Sequence, residues 1–377
     1  MKLERILLTI ALSLTGGTAA LGQAPARGQA AQPANLQATN DPRYAEVIAA
    51  CKNPPPPRGG GAARGGQARG GGGAPGGGGQ AARGGAPGAR GGGPAIQEYT
   101  VTAIPGVIAA GQRWTMVWES TGNNADGIIG TSDGGLLAAQ NDNGAVLKLD
   151  RDGKASVAYP KTRTGGALSM NSKGSLFVAE RALNPAIRQL APQDKVLANR
   201  YRDDPMDCIG GVLNDITADS KGGVYFTMGG VFYANPSGVV TQYGQNLSTN
   251  GVILSADEKT LYVTNQGAIA AFDVQADGSL TNQRVFVTLP EGATGDGLTI
   301  DSEGRLYVTT PSGTVTGVHV ISREGKYLGR IPTPRGVITA AFSGPDKKTL
   351  YAVANDRTTP QIYTIPMIAQ GYQGRAK

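Results

Sequence analysis

Six positions in the chain share one register. Asp126, Gly166, Asn214, Asn250, Asp296 and Thr339 each lie eleven residues before an apolar or aromatic residue, or twelve where the intervening turn is longer, as in ADEKT and PDKKT. Four of the six carry a carboxylate or a carboxamide oxygen. If the fold brings them together, the two carboxylates repel and raise one another's pKa unless a cation sits between them. Two anionic and two neutral oxygen ligands suit a hard cation that tolerates irregular geometry: calcium first, then magnesium or manganese. No cysteine or histidine falls in this register, which argues against zinc. Read singly, Asp126-Gly127, Asn250-Gly251 and Asp296-Gly297 are ordinary turn dipeptides. Their shared register favours a metal site formed by Asp126, Asn214, Asn250 and Asp296.

The elements that would position these residues are legible as a repeat. Its anchor residues, one per copy, are Leu137, Phe177, Tyr225, Tyr262, Tyr307 and Tyr351, in GGLLAA, GSLFVAE, GGVYFTM, KTLYVTN, GRLYVTT and KTLYAVA. A spacing of about forty residues, with about four short β runs per copy, is the mark of a propeller blade. The expectation is an all-β, six-bladed β-propeller over 96–370, with 371–377 as a tail. Innermost strands run along a propeller's channel, so equivalent positions converge at one end of the axis. Strand-like residues at 98–103 are expected to pair in the last blade and close the ring.

The N-terminal quarter differs in composition. Residues 1–24 read as a secretory signal peptide, with an apolar run from Ile6 to Leu14 and cleavage after Gly22 or Ala24. That run is too short to span a bilayer. The expectation is a soluble, exported protein, periplasmic or extracellular, with no membrane insertion after signal removal. Residues 25–40 read as disordered. Residues 41–52 read as a short amphipathic helix, with Asp41 as N-cap, Pro42 at its first position and Tyr44, Val47, Ile48 and Cys51 on one face. The Pro, Gly and Arg-rich tract at 53–95 reads as a flexible linker in preference to an RNA-binding tail. Residues 1–95 carry all of the formal net charge of +7, so the body is neutral and no nucleic-acid partner is expected. Cys51 and Cys208 are the only cysteines. In an exported chain an even pair favours a disulfide over two unrelated buried thiols.

The segments STNGVILSADEKTLYVTN, GDGLTIDSEGRLYVTT and GVHVISREGKYLGRIPTPRGVITAAFSGPDKKTLYAVA resemble the senescence marker protein, gluconolactonase and luciferin-regenerating enzyme family over about residues 115–355. The resemblance implies hydrolysis of a lactone or related ester with one divalent ion in the channel. It also implies metal ligation by Asn214 and Asp296, a general-base role for Asp296, and a place for Asn250 in the same pocket. Two departures stand out. Ala125-Asp126-Gly127 replaces the family's glutamate segment, and Thr164-Gly165-Gly166 stands where relatives often carry a substrate-binding asparagine. Gly166, Thr339 and Met228, which follows YFT where relatives often have aspartate, are expected to line the substrate side. His319, flanked by Val318 and Val320, reads as structural. No covalent nucleophile is expected. The alternatives are a non-catalytic propeller that binds a ligand or partner, and a hydrolase or isomerase acting on other esters or sugars.

Overall fold

The computed structural model describes residues 36–55 and 100–377; residues 1–24, expected to be a signal peptide, and residues 56–95 of the Pro, Gly and Arg-rich tract lie outside them. Six four-stranded antiparallel sheets follow one another in chain order. Their innermost strands are Ile128–Gly130, Gly165–Met170, Ile216–Ala218, Thr249–Leu254, Leu298–Ile300 and Thr339–Ser343, numbered here as blades 1 to 6. Each inner strand touches those of both neighbouring blades, and blade 6 meets blade 1, so the ring is closed.

Period-two alternation explains the packing. Successive strand residues face opposite sides, and both sides of a middle strand are covered by another blade. The buried apolar residues form six clusters, one at each blade interface. All six anchor residues of the repeat point towards the following blade: Leu137 between blades 1 and 2, Phe177 between 2 and 3, and so on to Tyr351 between 6 and 1. Truncating one such buried aromatic to alanine costs about 3–5 kcal/mol in general. The acidic turns serve the same strands. Asp219 accepts hydrogen bonds from the backbone N–H of Lys221 (2.9 Å) and Gly223 (2.8 Å) and from the Tyr233 hydroxyl (2.7 Å). Asp301 repeats this with Glu303, Arg305 and Tyr307.

Closure uses a strand from the N-terminal side, but a different one from that expected. Thr115–Glu119 pairs with Gln361–Pro366 as the outer strand of blade 6. Residues 100–103 form no strand. Instead Val101, Ile104, Val107 and Ile108 turn inward and bury themselves between blades 5 and 6. Four apolar side chains on so short a segment are better served by a core than by an edge strand with one face in water.

The N-terminal segment rests on blades 2 and 3. The helix is Tyr44–Ala49, shorter than expected, and Arg43 is its N-cap rather than Asp41. Asp41 holds the preceding turn, accepting the backbone N–H of Arg43 at 2.9 Å. Tyr44, Val47, Ile48 and Cys51 are half-buried, while the remaining helical residues are exposed. Cys51 is bonded to Cys208 across a sequence separation of 157. Beside the disulfide, Asp204 accepts the backbone N–H groups of Lys52 (3.0 Å) and Asn53 (2.8 Å). Among the described residues no helix is long and apolar enough to cross a membrane.

Candidate metal and active site

The six registered residues sit where the inner strands begin, around one end of the channel. The glycines that follow three of them show why the dipeptides recur. Gly127, Gly251 and Gly297 do not have positive φ, so they are not serving left-handed turns. A Cβ on Gly127 would lie 2.6 Å from Ala167 Cα, one on Gly251 would lie 2.2 Å from the Asp296 carbonyl oxygen, and one on Gly297 would lie 2.9 Å from the Ile338 carbonyl oxygen. They are contact points at which adjacent blades touch backbone to backbone.

Hydroxyl groups lock three of these contacts. Thr227, Thr264 and Thr309 each follow an anchor tyrosine by two residues, hence lie on the same side of the strand, facing the next blade. Thr227 Oγ1 donates to the Asn250 carbonyl, Thr264 Oγ1 to the Asp296 carbonyl at 3.1 Å, and Thr309 Oγ1 to the Ile338 carbonyl at 2.8 Å. In this way Asn250 and Asp296 are each gripped by the preceding blade.

The other half of the ring is held by side chains four residues past the anchor position. Asn355 Nδ2 donates to the Ala125 carbonyl at 2.6 Å. Asn141 Nδ2 donates to Asp126 Oδ2 at 2.9 Å. Arg181 bridges two ring residues: its guanidinium donates to Asp126 Oδ2 (2.5 Å), to the Leu213 carbonyl (2.8 Å) and to the Asn214 carbonyl (2.5 Å), with the Asn214 amide oxygen at 3.3 Å. Gly166 makes room for it, since a Cβ there would lie 1.9 Å from Arg181 Cζ. Gly166 therefore shapes the ring by leaving space that Arg181 fills.

The electrostatics converge on Asp296. Burial, then the nearby charges of Asp126 and Asp215, push its carboxyl up to about 8, against the opposing influence of Arg181 and a hydrogen bond from Asn250. Asp215, next to Asn214, is 9% exposed and accepts the Val252 N–H at 2.8 Å. Three carboxylates thus share this end of the channel with the guanidinium of Arg181 and the ammonium of Lys377, which lies 2.5 Å from Asp215. One negative charge stays uncompensated when all three are ionised. Asn141 Oδ1, on the amide that bonds Asp126, is buried and has no hydrogen-bond partner among the described residues. An excess of carboxylate charge and an unsatisfied oxygen, with no thiolate or imidazole near, are the chemistry of a hard-cation site. Asp126, Asn214, Asn250 and Asp296 supply donors that fit a divalent ion. Among the described residues there is no group of three or more His, Cys, Asp or Glu spaced to hold a metal, so the carboxamides are essential to such a site.

Of the remaining expected residues, Thr339 lies on the ring, while Met228 and His319 lie in the core. Thr339 is half-buried beside Gly297, with its Oγ1 2.9 Å from where a Gly297 Cβ would stand. Met228 is 2% exposed and packs with Leu213, Phe226 and Phe232 at the interface of blades 2 and 3. With Ala38 of the N-terminal segment it lines a small cavity there rather than standing as an open substrate contact. His319 is fully buried in blade 5; its Nε2 lies 2.8 Å from the Val315 carbonyl and must donate to it, leaving Nδ1 to accept from the Tyr327 hydroxyl at 3.0 Å. Arg181, Asn141, Asp215 and Lys377 are additions that the register alone did not reveal. Three of them had a signal. Asn141, Arg181 and Asn355 occupy one repeat position, and Asp215 follows Asn214 where the other ring residues are followed by glycine or alanine.

A family model described as an SMP-30/gluconolactonase/LRE-like region matches residues 160–355. A lactonase drp35 of Staphylococcus saprophyticus is 31% identical over 268 residues, covering 63% of this chain and 74% of the relative. Another, of Staphylococcus haemolyticus, is 30% identical over 310 residues, covering 73% and 90%. Among solved structures, a gluconolactonase of Xanthomonas campestris superposes with a TM-score of 0.58 at 21% identity over 71% of this chain and 94% of that one. Regucalcin of Agrobacterium tumefaciens, a calcium-binding protein, superposes with a TM-score of 0.54 at 18% identity over 70% and 98%. At those identities the two structures share the fold. The repeat, the closed ring and the matched sequence agree that the chain belongs to the SMP-30/gluconolactonase/LRE-like family.

Proposed function

We propose that this protein hydrolyses a lactone, a sugar lactone or related cyclic ester, with one divalent cation, calcium, held by Asp126, Asn214, Asn250 and Asp296. The observation that carries this reading is the Asp296 carboxyl, raised by burial beside Asp126 and Asp215 in a ring of oxygen donors. The lactonase drp35 relatives support the substrate class, and regucalcin, named as calcium-binding, supports the ion. A bound divalent cation would supply Lewis-acid polarisation of the lactone carbonyl.

The protein's own groups would do the rest. Asp296 orients the attacking water and takes its proton as the oxygen bonds to the carbonyl carbon. The ring C–O bond then breaks and the proton passes to the departing alkoxide, leaving a hydroxy acid. Asn250 keeps Asp296 in place through its hydrogen bond. Arg181 fixes Asp126 and Asn214 relative to one another, which preserves the spacing of two donors. The half-buried N-terminal segment covers the ring end beside Arg181, where the Ala38 N–H donates to the Arg181 carbonyl at 2.8 Å and Thr164 Oγ1 to the Leu36 carbonyl at 3.2 Å. It acts as a wall of the pocket on the side of blades 2 and 3. The disulfide that holds this wall suits an exported protein in an oxidising compartment.

The test is turnover of a panel of aldonolactones and simple γ- and δ-lactones, with and without chelator. Loss with chelator, recovery with calcium and loss of at least about a hundredfold in Asp296→Ala would support the reading. A folded protein that turns over none of them with any divalent ion would overturn it. Asp126, engaged by both Arg181 and Asn141, specifically favours the second reading, a non-catalytic binding propeller, in that case.

A further inference from the structure

Residues 370–377 do not trail into solvent. They cross the end of the ring opposite the registered residues, where the inner strands finish. Ala376 forms a bridge with Met170 of blade 2, and Gly371 one with Asp301 at the end of blade 5. The Arg375 guanidinium donates to the carbonyls of Leu254 and Ser255 of blade 4, the latter at 3.0 Å, and the Tyr372 hydroxyl donates to that of Ala256 at 2.9 Å. From blade 6, Lys347 Nζ donates to the Tyr372 carbonyl at 2.8 Å.

The segment then turns up the channel. Thr299 Oγ1 donates to a main-chain carboxylate oxygen of Lys377 at 2.7 Å, and the Lys377 side chain, 5% exposed, runs towards the ring. Its ammonium donates to Asp215 Oδ2 and to the Val252 carbonyl oxygen. A carboxylate and a backbone carbonyl facing one buried point are oxygen ligands of the kind that hold hard cations.

We propose that Lys377 is a built-in cation of the channel. Its ammonium fills a cation position formed by the Asp215 carboxylate and the Val252 carbonyl, and residues 370–377 hold it there while closing the far end. The position is separate from the donor set of Asp126, Asn214, Asn250 and Asp296, and it needs no metal while the lysine is in place. Burying an ammonium is tolerated only with such partners. Leaving Asp215 buried without a countercharge would be just as unfavourable, so an ion from solution should replace a missing ammonium.

The test is the number of calcium ions bound per chain by equilibrium dialysis, for the native chain, Lys377→Ala and Lys377→Arg. The expected result is one more ion in Lys377→Ala than in the native chain, and no extra ion in Lys377→Arg, which keeps the charge. An equal count in Lys377→Ala and the native chain overturns the proposal. A native chain that binds no ion speaks against the proposed function and leaves this comparison intact, since only the difference is read. A second measurement needs no variant: acetylation of the folded native chain should modify the exposed Lys195 and Lys326 at least tenfold faster than Lys377. Equal rates at the three lysines would also overturn it.

Discussion

The two halves of the ring solve one problem by different chemistry. In blades 3 to 5 a threonine two residues past the anchor tyrosine donates to a backbone carbonyl of the next blade, so the registered side chains of Asn250 and Asp296 are left free of the lock. In blades 6, 1 and 2 the corresponding residues are Val353, Ala139 and Ala179, and the lock moves two residues further on, to Asn355, Asn141 and Arg181. Those longer side chains reach the ring itself, and two of them bond Asp126. A hydroxyl-to-carbonyl lock fixes backbone and leaves the charge of the site alone. A side-chain network also sets that charge, through the bonds to Asp126 and the space that Gly166 leaves for Arg181.

The sharpest way to break the contrast is Arg181→Met. It would leave the Leu213 and Asn214 carbonyls and Asp126 without their buried partner, with an expected loss of about 3–5 kcal/mol in denaturant unfolding. Gly166→Ala should destabilise comparably, because its Cβ would meet the guanidinium at 1.9 Å. In the Arg181→Met background it should cost much less, and additive effects would refute the pairing of glycine and arginine. Next in size is the disulfide on the same half. Cys51→Ser with Cys208→Ser should lower stability by about 2–5 kcal/mol and speed proteolysis within residues 36–55, whereas an unchanged digestion pattern would show that the wall holds without it.

In the other half, Thr264→Val removes the hydroxyl that accepts the Gly251 N–H at 2.6 Å and donates to the Asp296 carbonyl. The expected cost is about 1–3 kcal/mol, measured by denaturant midpoint; a shift as large as that of Arg181→Met would erase the distinction between the halves. The smallest effect is a pH dependence from His319. Burial holds its pKa below the ordinary value of 6.5, so the fold keeps it neutral. Its stabilising contribution is present above pH 6.5 and is lost as pH falls through the lower folded value, because the unfolded chain binds the proton first. Melting temperatures at about pH 7.5 and about pH 5 should therefore differ less in His319→Gln than in the native chain.

The sequence by itself determined the six blades, because alternating apolar residues and turn residues at a spacing of about forty residues are local and repetitive. The same register singled out Asp126, Asn214, Asn250 and Asp296, since closing a repeat about an axis brings equivalent positions together. It also favoured the Cys51–Cys208 pairing, because these are the only two cysteines of the chain. What it left open was what each neighbour does. The glycines after the ring residues looked like turn formers, and only the distances between blades showed them as contact points. The closing strand moved to Thr115–Glu119 because Val101, Ile104, Val107 and Ile108 had a core to enter that no local pattern displays. The approach of Arg181 to Asp126 spans 55 residues and that of Lys377 to Asp215 spans 162. Such contacts depend on the closed ring and its channel, and tertiary structure alone decided where those charges stand.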